Sequence, residues 1–217
     1  MRALSLIEEG AVGRVLYAKA KETHSGSHSP FAKTIAACGG GALVHLGTHP
    51  AAWVLRLFGG PPARVMGQCS GGGENNLVHK DIEGEDWGTA SFTWPDGRRA
   101  FVEGNYITTG GMDDVVEVYG TEGVLKVDLT FGSPLSVYSR KGFGYAVEKA
   151  DFTHGWTRPA VSENHSLGYM EELARFGACL RGEADQPAGT TAQEALDVLA
   201  VVHAAYRSSR EGKEVVL

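Results

Sequence analysis

Two histidines four residues apart, His45 and His49, follow three consecutive glycines in the stretch Gly39-Gly40-Gly41-Ala42-Leu43-Val44-His45-Leu46-Gly47-Thr48-His49. A neutral imidazole can take a hydroxyl proton near pH 7 and return it, which is the work of a general base. On a helix, residues four apart have Cβ atoms roughly 6 Å apart, so both rings can reach one ligand. A second His-x-x-x-His pair, His24 and His28, lies in a polar loop upstream. Together His24, His28, His45 and His49 also suit a divalent metal, which wants three or four N, O or S ligands. That alternative needs a carboxylate or a third histidine beside the helical pair. Without one, His45 and His49 read as a hydrogen-bonding and acid–base surface for a hydroxylated ligand. Arg56 and Arg158 could hold a carboxylate or hydroxyl-rich substrate, and Tyr106 and Trp156 could stack on a sugar face, although surface and packing roles are commoner for these types.

The elements that must position these residues follow from periodicity. Leu43, Leu46, Trp53 and Leu57 share one face of a helix expected to run on to Gly59-Gly60-Pro61-Pro62, and His45, His49, Ala52 and Arg56 share another. The glycines would let backbone approach the helix start, where free N–H groups and the positive dipole end favour electron-rich groups. A short helix over Arg2–Glu9 precedes a strand, Val15 to Thr23. Further strands are expected at residues 63–70, Trp87 to Trp94, Arg99 to Thr108, Val115 to Tyr119, Val124 to Leu129, Leu135 to Tyr138 and Tyr145 to Glu148, joined by turns such as Pro95-Asp96-Gly97-Arg98. Residues 71–76 read as a flexible loop. A helix capped at Ser162 carries Leu167, Met170, Leu173, Phe176 and Leu180. The capping box Thr191-Ala192-Gln193-Glu194 opens another, and Val215-Val216-Leu217 makes a last edge strand. Short strands joined by tight turns argue for antiparallel meanders. The expected fold is α+β: a mainly antiparallel open β-sheet with helices packed on one face and no Rossmann domain, over a single domain, residues 1–217. The uncovered sheet face, taken as broad and apolar, predicts a homo-oligomer through that face.

Composition narrows the partners. A net charge of −6 over 217 residues argues against nucleic acid or an anionic membrane. Three widely spaced cysteines, with no CxxC, indicate reduced thiols in or near the core rather than a disulfide framework or a structural zinc site. No run of about 18 apolar residues and no signal peptide are seen, so the chain reads as soluble and cytoplasmic.

The glycine-rich helix resembles the signature of the Gfo/Idh/MocA (glucose–fructose oxidoreductase/inositol dehydrogenase) family, Gly-Gly-Gly-x-Leu-x-Asp-x-Gly-x-His, in the substrate-binding domain. Glu117-Val118-Tyr119-Gly120-Thr121-Glu122-Gly123 resembles that family's Glu-Ile-x-Gly-x-x-Gly strand pair, and Ile7-Glu8-Glu9-Gly10 with Gly13-Arg14-Val15 resembles the hinge out of its nucleotide-binding domain, which makes residues 1–10 a hinge-helix remnant. Segments at residues 155–159, 168–173 and 205–208 resemble one subgroup's tail. The resemblance places the final histidine on His49, beside the nicotinamide and the sugar or polyol, and implies NAD or NADP as cofactor. The family's Asp falls on His45, so the usual carboxylate–histidine pairing is broken in sequence. No Gly-x-Gly-x-x-Gly turn and no Glu-Lys-Pro lysine occur. The implied function is the substrate half of an NAD(P)-dependent oxidoreductase for a sugar, polyol or related hydroxy compound, with the cofactor held by a separate Rossmann-domain chain or segment. A cofactor-free module, either carbohydrate-binding or a metal- or histidine-dependent lyase or isomerase, and a structural assembly partner of full-length relatives stand as alternatives.

Overall fold

The computed structural model describes residues 2–27, 29–129, 137–140, 155–157, 168–187 and 189–217. The expected strand at Tyr145 to Glu148, the cap at Ser162, and the candidate site residues His28 and Arg158 lie outside them. After helix α1 (Arg2–Glu8) the chain forms β1 (Val15–Thr23), α2 (Ile35–Cys38), α3 (Ala42–His45) and α4 (Thr48–Phe58). Then come β2 (Arg64–Cys69), β3 (Trp87–Thr93), β4 (Arg99–Asn105), β5 (Asp113–Gly120), β6 (Val124–Asp128), β7 (Val137–Ser139) and β8 (Gly155–Thr157). Helices α5 (Tyr169–Leu180) and α6 (Ala192–Glu211) and the edge strand β9 (Val215–Val216) complete the described elements. The strand at Gly155–Thr157 was not expected, and α5 starts beyond the expected cap.

The sheet is mainly antiparallel, ordered β6-β5-β1-β4-β3-β2-β9. It departs from a pure meander at its centre, where β1 pairs parallel with β4, Ala20 opposite Val102 and Glu22 opposite Gly104. Two long hairpin systems meet there, and local turn signals carry no information about a pairing made across so much intervening chain. One sheet face carries Ala18, Ala20, Val65, Ala90, Phe92, Ala100, Val102, Val116 and Val118. Against it pack Ala51, Val54, Leu55 and Phe58 of α4 and Val201, Val202 and Ala205 of α6, which together form the main core. The capping box of α6 is formed, with Thr191 N–H donating to Glu194 Oε2 at 2.9 Å and Glu194 N–H to Thr191 Oγ1 at 3.2 Å.

The opposite face is not the apolar surface expected. One row across it reads Lys126, Glu117, Lys19, Phe101, Ser91 and Met66. Glu117 meets Lys126 at 2.8 Å and Lys19 at 3.7 Å, and Tyr17 stacks on Tyr119 with ring centroids 5.7 Å apart. Opposite charges face each other directly across strands, which water tolerates well. Residues 71–76 are likewise not a loose loop. Asn76 is buried and its side-chain N–H groups donate to the carbonyls of His79, Ile82 and Gly84, while Asp86 accepts from the N–H groups of Leu77, Val78 and His79.

The single helix expected through Leu43 and Leu57 is two. Pro50 sits in the first turn of α4 and has no N–H to give the carbonyl of Leu46, so the helix breaks at Leu46-Gly47 and restarts. The resulting corner lies directly on the sheet. A Cβ on Gly104 would come within 2.7 Å of the Gly47 nitrogen and 2.8 Å of the Ala42 carbonyl oxygen, so only glycine admits this contact. At its start, Gly41 touches the segment before β3 so closely that a Cβ there would lie 2.0 Å from the Glu85 carbonyl oxygen. The N–H groups at this helix start are therefore not open to a ligand. Those of Gly41 and Leu43 donate to the Glu85 carboxylate at 3.1 and 2.8 Å, and the Tyr206 hydroxyl of α6 donates to it at 2.7 Å.

Burial raises the Glu85 carboxyl above its ordinary value despite the opposing pull of the donors on Leu43, Tyr206 and Gly41. A carboxyl whose proton affinity rises on folding contributes stability that is fully present below its unfolded value and is lost as pH rises through its folded value. The stability margin of the wild type over Glu85→Gln, taken from urea unfolding, should therefore narrow as pH is raised from the ordinary carboxylate value towards neutral. A margin that stays constant or widens would contradict this account.

Candidate functional site

The corner between α3 and α4 brings both histidines over the C-terminal end of β1. Strand alternation puts Ala18, Ala20 and Glu22 on the covered face, so Glu22 is a carboxylate at a core position. Its register partner on β4 is Gly104, whose missing side chain is what lets the corner descend. His49 Nδ1 then lies 2.5 Å from Glu22 Oε2. The partners differ sharply in exposure, the imidazole being 66% accessible and the carboxylate 7%. A solvent-reachable imidazole backed by a buried acid is an arrangement able to accept and return a proton.

His45 turns to a different partner. Its Nδ1 lies 2.6 Å from the Tyr106 hydroxyl. Tyr106 is fully buried just past β4, anchored by its N–H to the Asp86 carbonyl at 2.8 Å. Burial, with the nearby Cys38 and Glu85 charges, pushes its phenol well above the ordinary value, so it stays protonated through the physiological range. Three histidines surround this ring: His45 and His24, each with its ring centroid 5.8 Å away, and His79 at 6.3 Å. His24 is buried and its Nδ1 accepts from the Gly26 N–H at 3.0 Å, while His79 Nε2 lies 2.8 Å from the Tyr106 carbonyl oxygen. Beside His79 a small cleft is lined by Ser25, Gly26, Ser27, Lys33 and Asp81, among others.

Of the residues singled out in the sequence, His24, His45 and Tyr106 therefore meet in one cluster, and His49 joins it through the corner. Tyr106 cannot stack on a sugar as expected, because none of its ring is accessible. Arg56 lays its aliphatic stem against the turn at Gly189, where a Cβ would come within 2.8 Å of its Cδ. Trp156 is 76% exposed on β8, which pairs with β7 outside the main sheet. A carboxylate and a third histidine do lie near the helical pair, the condition set for a metal. Yet Nδ1 of His24, His45 and His49 each addresses a different partner, and among the described residues no group of three or more His, Cys, Asp or Glu is placed to hold a metal ion. The cysteines are free and partly buried, and burial pushes the Cys69 thiol up to about 12, far from a nucleophilic thiolate near neutral pH.

Sequence reasoning missed Glu22, Glu85, His79 and Tyr206. For Glu22 a signal existed: in Ala18-Lys19-Ala20-Lys21-Glu22 the alternation assigns the acid to the alanine face, where an unpaired carboxylate would not be tolerated. Glu85 and Tyr206 carry no such local signal, since their meeting depends on how α6 docks.

A nicotinamide dinucleotide needs backbone N–H groups for its pyrophosphate. Here the N–H groups behind Gly39-Gly40-Gly41 already serve the Glu85 carboxylate, which would also repel a diphosphate, and Gly71-Gly72-Gly73 leads only into a single 3-10 turn, Gly73–Asn75. Neither glycine run fits the cofactor.

Residues 5–217 match the model of the oxidoreductase family's C-terminal α/β domain, Gfo/Idh/MocA type. No curated protein sequence matches the chain. Among solved structures it is similar to GenD2 from gentamicin A biosynthesis in complex with NAD, with a TM-score of 0.85 and 26% identity over 100% of this chain and 59% of that one. It also resembles a putative myo-inositol dehydrogenase from Sinorhizobium meliloti 1021, with a TM-score of 0.74 and 21% identity over 98% of this chain and 60% of the other. A third is scyllo-inositol dehydrogenase from Lactobacillus casei with bound NAD(H) and scyllo-inositol, with a TM-score of 0.72 and 18% identity over 99% and 60%. The chain thus spans about three-fifths of the length of each of these structures. Among the described residues no helix is long and apolar enough to cross a membrane. With the family model matched from residue 5 to the last residue, the chain belongs to the Gfo/Idh/MocA oxidoreductases, as their C-terminal α/β domain.

Proposed function

We propose that this chain is the substrate-binding half of an NAD(P)-dependent oxidoreductase acting on a sugar, polyol or related hydroxy compound. The observation that carries the reading is the His49–Glu22 contact, an accessible imidazole seated on a buried carboxylate at the corner beside β1. His49 accepts the proton of a substrate hydroxyl and returns it in the reverse direction, and His45 contributes a second hydrogen-bonding nitrogen. The matched relatives described as NAD complexes support a nicotinamide cofactor for the family, which serves as the hydride carrier when bound. A separate nucleotide-binding domain would supply its binding groups. A surface suited to that domain is the apolar stripe of α5, where Met170, Leu173, Phe176 and Leu180 are all exposed.

Three outcomes test the reading. Ligand-observed NMR with a panel of inositols and aldoses should detect binding to the chain, and His49→Ala should weaken it about tenfold or more, the scale of losing one hydrogen bond to a polar ligand. Binding that is absent across the panel, or indifferent to His49, would count against it. Calorimetry should give no micromolar affinity of the chain for NAD(H) or NADP(H), and a micromolar constant would overturn the assignment of the cofactor to another domain. We further propose a homodimer or tetramer through the outer sheet face, where the Lys126–Glu117–Lys19 row and the Tyr17–Tyr119 stack offer complementary charge and flat aromatic surface. Light scattering on a size-exclusion column should then read a dimer or larger at micromolar concentration, and Glu117→Lys should lower the mass; a wild-type monomer would refute it.

A further inference from the structure

The two imidazoles at the corner receive chemically opposite partners. Glu22 is a carboxylate, and when ionised it can only accept a hydrogen bond. The proton in its 2.5 Å contact with His49 therefore sits on Nδ1.

The partner of His45 is a phenol, which can donate as well as accept. Two facts decide the direction. The Tyr106 hydroxyl is fully buried, and among the described residues its one hydrogen-bond partner is His45 Nδ1, at 2.6 Å. If His45 donated, the phenolic proton would be buried with no acceptor, which folded proteins avoid. Tyr106 therefore donates, Nδ1 of His45 accepts, and the imidazole proton is displaced to Nε2. The phenol's upward-shifted proton affinity agrees with its holding that proton. His24, whose ring lies edge-on to His45 with centroids 6.5 Å apart, also accepts at Nδ1, from the Gly26 N–H, and so does not compete to donate there.

We propose that Glu22 and Tyr106 hold His49 and His45 in opposite tautomers, the proton lying on Nδ1 of His49 and away from Nδ1 of His45. The tautomers do not depend on the function proposed above. Glu22 and Tyr106 are thus positioning residues, and the carboxylate that the family pattern places at position 45 is replaced in effect by one arriving from β1.

The test is a nitrogen-15 correlation spectrum of the histidine side chains of the ligand-free chain near neutral pH, with rings assigned through His45→Gln and His49→Gln. His49 should read as the Nδ1–H form and His45 as the Nε2–H form. Glu22→Gln should remove the preference at His49 alone, with Glu22→Asp restoring part of it, and Tyr106→Phe should remove it at His45 alone. Should a variant fail to fold, the wild-type spectrum still decides. His49 as Nε2–H, His45 as Nδ1–H, or both rings in one form would overturn the proposal. Because no ligand or cofactor is present, the result is independent of whether His49→Ala loses polyol binding, so failure of the tautomers and failure of the proposed function are told apart.

Discussion

A buried carboxylate holds this domain's working corner in place. Glu85 brings its carboxyl group to the start of α3, where two backbone N–H groups donate to it, and Tyr206 reaches across from α6 to close the set. An acid in that position is costly to bury unless every partner is present. The contact therefore ties three separate segments to one another: the glycine run, the segment entering β3, and the last long helix. The glycines at 40 and 41 are required by this arrangement rather than by any ligand. A Cβ at Gly40 would come within 2.6 Å of the Tyr206 hydroxyl, and one at Gly41 would strike the Glu85 backbone. What looks in sequence like a cradle for a substrate is a socket for the protein's own side chain.

The same reasoning explains which parts of the fold the sequence revealed. Strand alternation at β1 and β3 and the Thr191–Glu194 capping box are local signals with local causes, and the structure reproduces them. Side-chain periodicity alone predicts one helix through Leu43 and Leu57, but Pro50 has no N–H to continue it, and the helix breaks before that residue. The outer sheet face was expected to be apolar because a large sheet was expected to need cover. Reading alternate residues, Tyr17, Lys19 and Lys21 already say otherwise. The parallel pairing of β1 with β4 was not legible, since no turn or motif near either strand encodes it.

For the site, chemistry-bearing residue types were easier to find than their partners. His45 and His49 announced themselves by spacing. The loss of an acid at position 45 suggested a broken carboxylate–histidine pair, yet the acid enters from a strand instead, at the one β1 position where alternation turns a carboxylate inward. For Tyr106 the sequence allows sugar stacking beside the commoner packing role, and the ring is the buried centre around which three histidines are arranged. Residues remote in sequence supply the groups that orient the accessible ones, and such contacts depend on packing that single-chain patterns do not record.

The parallel seam between β1 and β4 also governs how the domain is acquired. Strands starting at Val15 and Arg99 must join side by side in the middle of the sheet, so the chain between them closes as one long loop before the central ladder rewards the closure. Topologies dominated by such non-local pairings fold slowly, and Gly104, the floor on which the helix corner rests, lies on β4 in that seam. Until the seam forms, the edges of β1 and β4 are unpaired strand edges with alternating apolar residues, the kind of surface through which chains associate wrongly. The feature that seats His49 over Glu22 is thus also the domain's window of exposure during synthesis.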